Sequence, residues 1–264
     1  MALHRLAGRV WLFPHDPDPT RVQPCVAVVA GSTASILVDA GNSPGHARRV
    51  REAIDAAGLP PPDTIVYTHH HWDHVWGACA WPSATVVAHR LGADLLHAEA
   101  QRPWSRQYLR DQVAANPRLG PSFQARERAV TSWSDFEIIT PHVRFDNEIT
   151  LPGNVYVQHI GGRHAPDSTI VVVPDSGVVL LGDAFYPPPR HLRRPGDGYD
   201  HDVIETVRRR YGEGVDWYVH SHGDPIASHD LPSLLENHDA GGAGGVVAGA
   251  RSRGGDQETQ MGHA

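Results

Sequence analysis

Apolar residues come in short runs through the first forty positions: RVWLF (9–13), CVAVVA (25–30) and SILVDAG (35–41). Runs of this length bounded by Gly, Pro and Asp read as strands, with GST (31–33) as the turn between the last two. From Ser43 the spacing changes. Ser43 can cap a helix, Pro44 suits its first position, and Val50, Ile54 and Ala57 recur at helical spacing until Gly58 and Pro60 end it. TIVYT (64–68) and ATVVA (84–88) are again short buried strands. Strands alternating with helices predict an α/β layered domain.

Residues 89–135 break this alternation. HRLGADLLHAEA and WSRQYLRDQVAA are helical in pattern with no strand between them, so the segment is expected to be an insertion or lid over the core. A second strand-rich half follows with NVYVQHI, STIVVVP and GVVLLGD, then a short helix near DVIETVRRRY and a strand DWYVH. The expected domain is 1–239. The Gly- and Ala-rich 240–264 has no apolar periodicity and reads as a disordered tail.

Composition narrows the function classes. A chain of 264 residues can bury a sizeable core. Its formal charge of −7 gives no long-range attraction for nucleic acid or anionic membrane. No run approaches the roughly 18 apolar residues of a membrane span, and the N-terminus does not read as a signal peptide. Cys25 and Cys79 have neither metal-like nor redox spacing and suit a reducing, cytoplasmic setting.

The chemistry gathers after TIVYT, where positions 69–74 read HHHWDH. A single histidine in a loop is usually just solvated, but this density at a strand end fits metal ligation. With period two, His69 and His71 share a side and His70 points away, so the pair can grip one ion. Asp73 and His74, where a helix starts, can face a second. Imidazole with carboxylate suits zinc, and iron or manganese less decisively.

Such a cluster needs further ligands at other strand ends. VQHIGGRHAPDST leads to His164, VVLLGDAFY ends a strand at Asp183 after a glycine, and WYVHSHGD carries His222, with His220 as its rival two residues earlier. His70 and His159 read as structural or surface histidines, and Asp175 as a turn residue. The ordered set T-H-x-H-x-D-H, G-x-x-H, L-G-D and S-H-G resembles the metallo-β-lactamase-fold hydrolase superfamily, and SILVDAG with Asp39 resembles its first short motif. The resemblance runs from about residue 9 to 225, leaving 89–140 uninformative.

It implies a four-layer αββα sandwich with metals in a groove at one edge of two sheets. His69, His71 and His164 would hold one metal; Asp73, His74 and His222 the other; Asp183 would bridge them, and Asp39 would orient the histidine loop. A metal pair brings a bridging water's pKa toward neutrality and polarises a carbonyl or phosphoryl oxygen, so hydrolysis needs no protein nucleophile. The chain accordingly has no G-x-S-x-G.

The aspartate bridge is similar to glyoxalase II-like thioesterases, lactonases and phosphodiesterases. Tyr186, three residues on, resembles a lactonase tyrosine that polarises the substrate carbonyl; its alternative is simple packing. Trp72, Trp76, Trp104 and Tyr108 are either an apolar substrate wall or core. Arg190, Arg193 and Arg194 either meet a substrate anion or sit in a solvated loop. The leading expectation is a dinuclear zinc hydrolase of a small ester-like molecule. β-Lactam hydrolysis, iron-dependent persulfide or oxygen chemistry, and a metal-free binding module are the alternatives.

Overall fold

The computed structural model describes residues 1–134, 136–189 and 191–231. Arg190 and the expected tail at 240–264 lie outside the described residues. The chain forms two mixed sheets with helices on their outer faces. The first sheet runs in spatial order β1 (His4–Ala7), β2 (Val10–Phe13), β3 (Val26–Ala30), β4 (Ser35–Val38), β5 (Pro62–Val66), β6 (Thr85–His89) and β7 (Val143–Phe145). Its hairpins are antiparallel up to β4, after which β4, β5, β6 and β7 pair in parallel.

The second sheet comprises β8 (Glu148–Leu151), β9 (Val155–His159), β10 (Thr169–Val173), β11 (Val178–Gly182), β12 (Trp217–His220) and β13 (Ile226–Ala227). Among the described residues only β11 and β12 pair in parallel there, with α6 (His201–Tyr211) as the crossover between them. Parallel neighbours need such a crossover, which is why each helix returns across an outer face.

Strand alternation builds three apolar layers. Between the sheets lie Val10, Leu12, Val29, Val38 and Val66 from the first and Val157, Val171, Val173, Leu180 and Val219 from the second. The opposite-facing Phe13, Val28, Leu37 and Ile65 pack under α1 (Pro44–Ala56), α2 (Trp72–Val75) and the helical segment. Ile170, Val172, Val179 and Leu181 pack under α6 through Ile204 and Val207. Strands buried on both faces read as unbroken apolar runs, the pattern seen in CVAVVA and STIVVVP. The four-layer αββα sandwich is what these layers amount to.

Local signals explain α1. The Ser43 side chain accepts a hydrogen bond from the His46 amide, Pro44 fills the first position, and Val50 and Ile54 face inward. The helix ends at Ala56, with Ala57 as its C-cap. The 89–135 segment holds three helices, α3 (Arg90–Ala100), α4 (Arg106–Ala115) and α5 (Gly120–Ala129). The third was not read from pattern, nor were the short strands β1, β7, β8 and β13. No helix among the described residues is long and apolar enough to cross a membrane.

Candidate metal centre

The site lies where β4, β5, β11 and β12 deliver their C-terminal ends to one edge of the sandwich. Asp39 follows β4, His69 to His71 follow β5, Asp183 directly follows β11, and His222 follows β12. His164 comes from the loop between β9 and β10. The strand before the histidines ends at Val66, two residues earlier than the sequence pattern suggested. His69 and His71 therefore converge through a loop rather than through strand alternation. His69 Nε2 and His71 Nδ1 are 2.9 Å apart, and His71 Nδ1 is 2.9 Å from His164 Nε2.

Beside this trio lies a second group. His222 Nε2 is 3.1 Å from Asp73 Oδ2 and 3.4 Å from Asp183 Oδ2. His74 Nε2 is 3.4 Å from Asp73 and 3.5 Å from Asp183, and Asp183 Oδ2 is also 3.4 Å from His164 Nε2. Asp183 thus touches both groups. His220 points elsewhere, its Nδ1 bonded to the Tyr186 hydroxyl, so His222 is the histidine that reaches the carboxylates.

Outer bonds decide which nitrogen faces inward. Thr68 donates its hydroxyl to Asp39 Oδ2 at 2.9 Å, so it accepts from His69 Nδ1 at 3.1 Å and leaves His69 Nε2 for the centre. His74 Nδ1 donates to Asp39 Oδ2 at 2.7 Å, and His164 Nδ1 donates to the Pro187 carbonyl at 3.0 Å. Hydrogen bonds of this kind fix the tautomer and orientation of metal-binding imidazoles. Asp39 also accepts the Thr68 amide at 2.8 Å, from a buried backbone in the left-handed region (φ 64°). Asn and Asp tolerate that conformation best among side-chain-bearing residues. Gly182 completes the edge: a Cβ there would lie 2.6 Å from Thr68 Oγ1, so only glycine lets β11 approach the first sheet so closely.

Charge divides the groups. Burial, reinforced by neighbouring imidazoles, holds His69 and His71 well below the usual histidine range, and burial also lowers His164. These are neutral rings with free lone pairs. In the second group burial opposes charging, but ion pairing wins. Asp39, Asp73 and Asp183 hold His74 well above its ordinary range, and Asp183 and Asp73 raise His222 to about 9. Against the same burial, His74 and His222 hold both Asp73 and Asp183 low.

The donor set fits metal ions. One ligand atom from each of His69, His71 and His164 lies within 4.8 Å of the others, and the same holds for Asp73, His74, Asp183 and His222. His74 Nε2 and Asp183 Oδ1 are buried with no hydrogen bond. Orphaned buried polar atoms are costly unless something else satisfies them, and a cation at this point would take the Asp183 oxygen and, in place of its proton, the His74 nitrogen.

The remaining expectations sort by packing. His70 turns away to Asp167 Oδ1 at 2.8 Å, His159 stacks on His89 with ring centroids 3.6 Å apart, and Asp175 pairs with Arg9 at 2.7 Å beside a turn. Trp76 is fully buried and Trp72 nearly so, so these two rings are core, and Trp104 is half-buried against them at 4.9 Å from Trp76. Arg193 and Arg194 lie in an exposed loop. Cys25 and Cys79 are free thiols; burial pushes Cys25 up to about 12, which rules it out as a nucleophile at neutral pH. Sequence reading missed the His70–Asp167 pair and Arg126 of α5, which has no motif to mark it.

Comparison with known proteins bears on the fold and the family. The chain is 27% identical over 243 residues to the 2,4-dinitroanisole O-demethylase subunit alpha of Nocardioides sp. (strain JS1661). That match covers 91% of this chain and 63% of the relative, so the chain spans less than two thirds of the relative's length. The structure of a double mutant of the sec-alkyl sulfatase PisA1 superposes with a TM-score of 0.64 at 16% identity, covering 90% of this chain and 41% of that one. The metallo-beta-lactamase FIM-1 from Pseudomonas aeruginosa, in its mono-zinc form, superposes with a TM-score of 0.61 at 15% identity, covering 90% and 95%. At these identities the superpositions speak for the fold alone. Residues 19–224 match the pattern of the metallo-beta-lactamase superfamily, and the chain belongs to that family.

Proposed function

We propose that this protein is a dinuclear zinc hydrolase that cleaves an ester-like bond, of a lactone, thioester or similar small molecule. The observation that carries the reading is the pair of ligand groups joined at Asp183, with His74 Nε2 and Asp183 Oδ1 buried and without a hydrogen bond. His69, His71 and His164 would hold one zinc, and Asp73, His74 and His222 the other, with Asp183 between them. Bound there, the metals would supply a water acidic enough to ionise near neutral pH and a Lewis acid for the substrate oxygen.

The chain's own part is orientation. Asp39 and Thr68 hold His69 and His74 with Nε2 inward, and the Pro187 carbonyl does the same for His164. Tyr186 is a half-buried phenol, kept neutral because burial and Asp183 push its pKa well above the ordinary value. Its ring stands 6.3 Å from that of His164 and 6.1 Å from that of His222, at the rim of both groups. We assign it a role in holding the substrate oxygen, with His220 fixing its hydroxyl. The aspartate bridge favours the glyoxalase II-like and lactonase-like branch over β-lactam hydrolysis.

A second reading has the 27% identity to the demethylase behind it: cleavage of an aryl alkyl ether. One experiment addresses both. Zinc, iron and manganese are counted per chain in the wild type and in Asp183→Ala, and the wild type is screened against lactones, thioesters, β-lactams and a nitro-substituted aryl methyl ether. About two zinc ions, lost in the variant, with lactone or thioester turnover is the expected result. Ether cleavage alone would select the second reading. Predominant iron would point to oxygen or persulfide chemistry, and no stoichiometric metal would leave a binding module.

A further inference from the structure

Arg126 projects from α5 into a cage of four rings. Its guanidinium carbon lies 4.6 Å from the ring centre of Phe123, 5.0 Å from Trp72, 5.5 Å from Trp76 and 5.8 Å from Trp104. Trp72 sits between the ligands His71 and Asp73, so the cage ties this guanidinium to the turn that carries the metal ligands. Arginine stacks readily on aromatic faces, and four such faces leave it little rotational freedom.

Its hydrogen bonds are largely unused. Nη1 donates to Ser122 Oγ at 2.6 Å, while Nε is sealed from solvent without a partner. No carboxylate among the described residues forms an ion pair with it, in a helical segment where Arg102, Arg106 and Arg110 all have one. Asp73 is the acidic group that acts on it most strongly, and burial, then Arg126 and Arg118, disfavour a proton on His191, from the loop beyond Asp183. A cation held rigid, partly desolvated and unpaired at this place is incomplete without an anion. With a net charge of −7 the chain as a whole does not draw anions in, so this cation selects at short range.

We infer that Arg126 is a substrate-binding residue, and that the ester-like substrate carries a carboxylate or similar oxyanion that the caged guanidinium receives. The inference rests on the hydrolase reading for its substrate but not for its test. A planar fork held by stacking accepts a carboxylate through two N–H groups, a geometry that lysine cannot reproduce.

The test compares a lactone carrying a ring carboxylate with the same lactone as its carboxamide. Wild type, Arg126→Met and Arg126→Lys are assayed with each. Methionine keeps an apolar stem in the cage, so the fold should survive. The wild type should favour the carboxylate about ten- to hundredfold in kcat/KM, the range expected of a charge-assisted hydrogen bond. Arg126→Met should erase that preference while leaving the carboxamide within about threefold; Arg126→Lys should restore part of it. Equal wild-type rates, or a loss in Arg126→Met shared by both lactones, would overturn the inference. Calorimetric binding of the carboxylate lactone to metal-free protein gives a readout without turnover. If neither lactone is hydrolysed, the hydrolase reading fails by itself; binding at least tenfold weaker in Arg126→Met would still support the anion site, and equal binding would sink it.

Discussion

Asp39→Asn isolates what the carboxylate beneath the histidines contributes. Asparagine tolerates the left-handed backbone that Asp39 adopts (φ 64°), so the chain path is kept. What changes is hydrogen bonding. The carboxylate accepts three bonds, from the Thr68 amide at 2.8 Å, the Thr68 hydroxyl at 2.9 Å and His74 Nδ1 at 2.7 Å. The amide oxygen can keep the first, but the amide NH2 then faces the hydroxyl and the imidazole. Two bonds to a charged acceptor, each worth about 1.5–3 kcal/mol net, are replaced by neutral ones, so the metal-free protein should lose about 2–4 kcal/mol. In the wild type the charged ring can give up its Nε2 proton and keep Nδ1–H on Asp39. In the variant the ring accepts at Nδ1 from the amide NH2 and keeps its one proton on Nε2, the atom aimed at Asp73 and Asp183. That proton must leave before the nitrogen can bind a metal. Affinity at the Asp73–His74–Asp183–His222 group should fall about ten- to hundredfold, with a smaller change at the three-histidine group. Titration against a chelating indicator resolves the two steps, and urea melts report stability. A folded Asp39→Asn protein whose two metal affinities both stay within twofold of wild type would falsify this account of the tautomer.

Other expectations use the same geometry. Gly182→Ala drives a Cβ to 2.6 Å from Thr68 Oγ1 at φ 56°, whereas Gly58→Ala, at φ 66°, meets nothing within 4 Å. Denaturant melts should show about 2–4 kcal/mol lost for the first and about 1 kcal/mol for the second, and equal losses would mean the close approach is not what matters. Burial lowers His46 from 6.5 to about 3, so the unfolded chain takes up its proton first and stability falls as pH drops from about 6.5 toward 3. At pH 5 that amounts to about 2 kcal/mol, and His46→Leu should shrink the wild-type loss between pH 7.5 and 5 by this amount; parallel pH profiles would refute it. Trp76→Ala empties a fully buried site and should cost about 3–5 kcal/mol, measured by thermal unfolding. A loss under 1 kcal/mol would return Trp76 to the substrate wall.

Much of the candidate site was legible because the residue types that bind metals leave marks that survive translation into one dimension. Imidazoles and carboxylates are few among side chains, and they must stand at strand ends, so His69, His71, Asp73, His74, His164, Asp183 and His222 could be named from motif order and the family it resembles. The element reading held where periodicity was strong, as in α1 and the apolar strands. It missed β7 and β8, whose exposed positions dilute the alternation, and α5, whose Gly120-Pro121 start hides a helix behind a turn signal. His69 and His71 do converge, but through a loop and not through the strand alternation that their spacing predicts.

By itself, then, the sequence determined the layers and the candidate metal-binding residues, because burial and metal affinity are properties of residue type and local spacing. Only the tertiary structure decided how those groups are held. Asp39 against Thr68 and His74, Gly182 against Thr68, His222 rather than His220 at the carboxylates, and the cage around Arg126 all join residues distant in the chain. Hydrogen bonds and close contacts act over a few ångströms of space, and no residue's type encodes which partner folding will bring within that range.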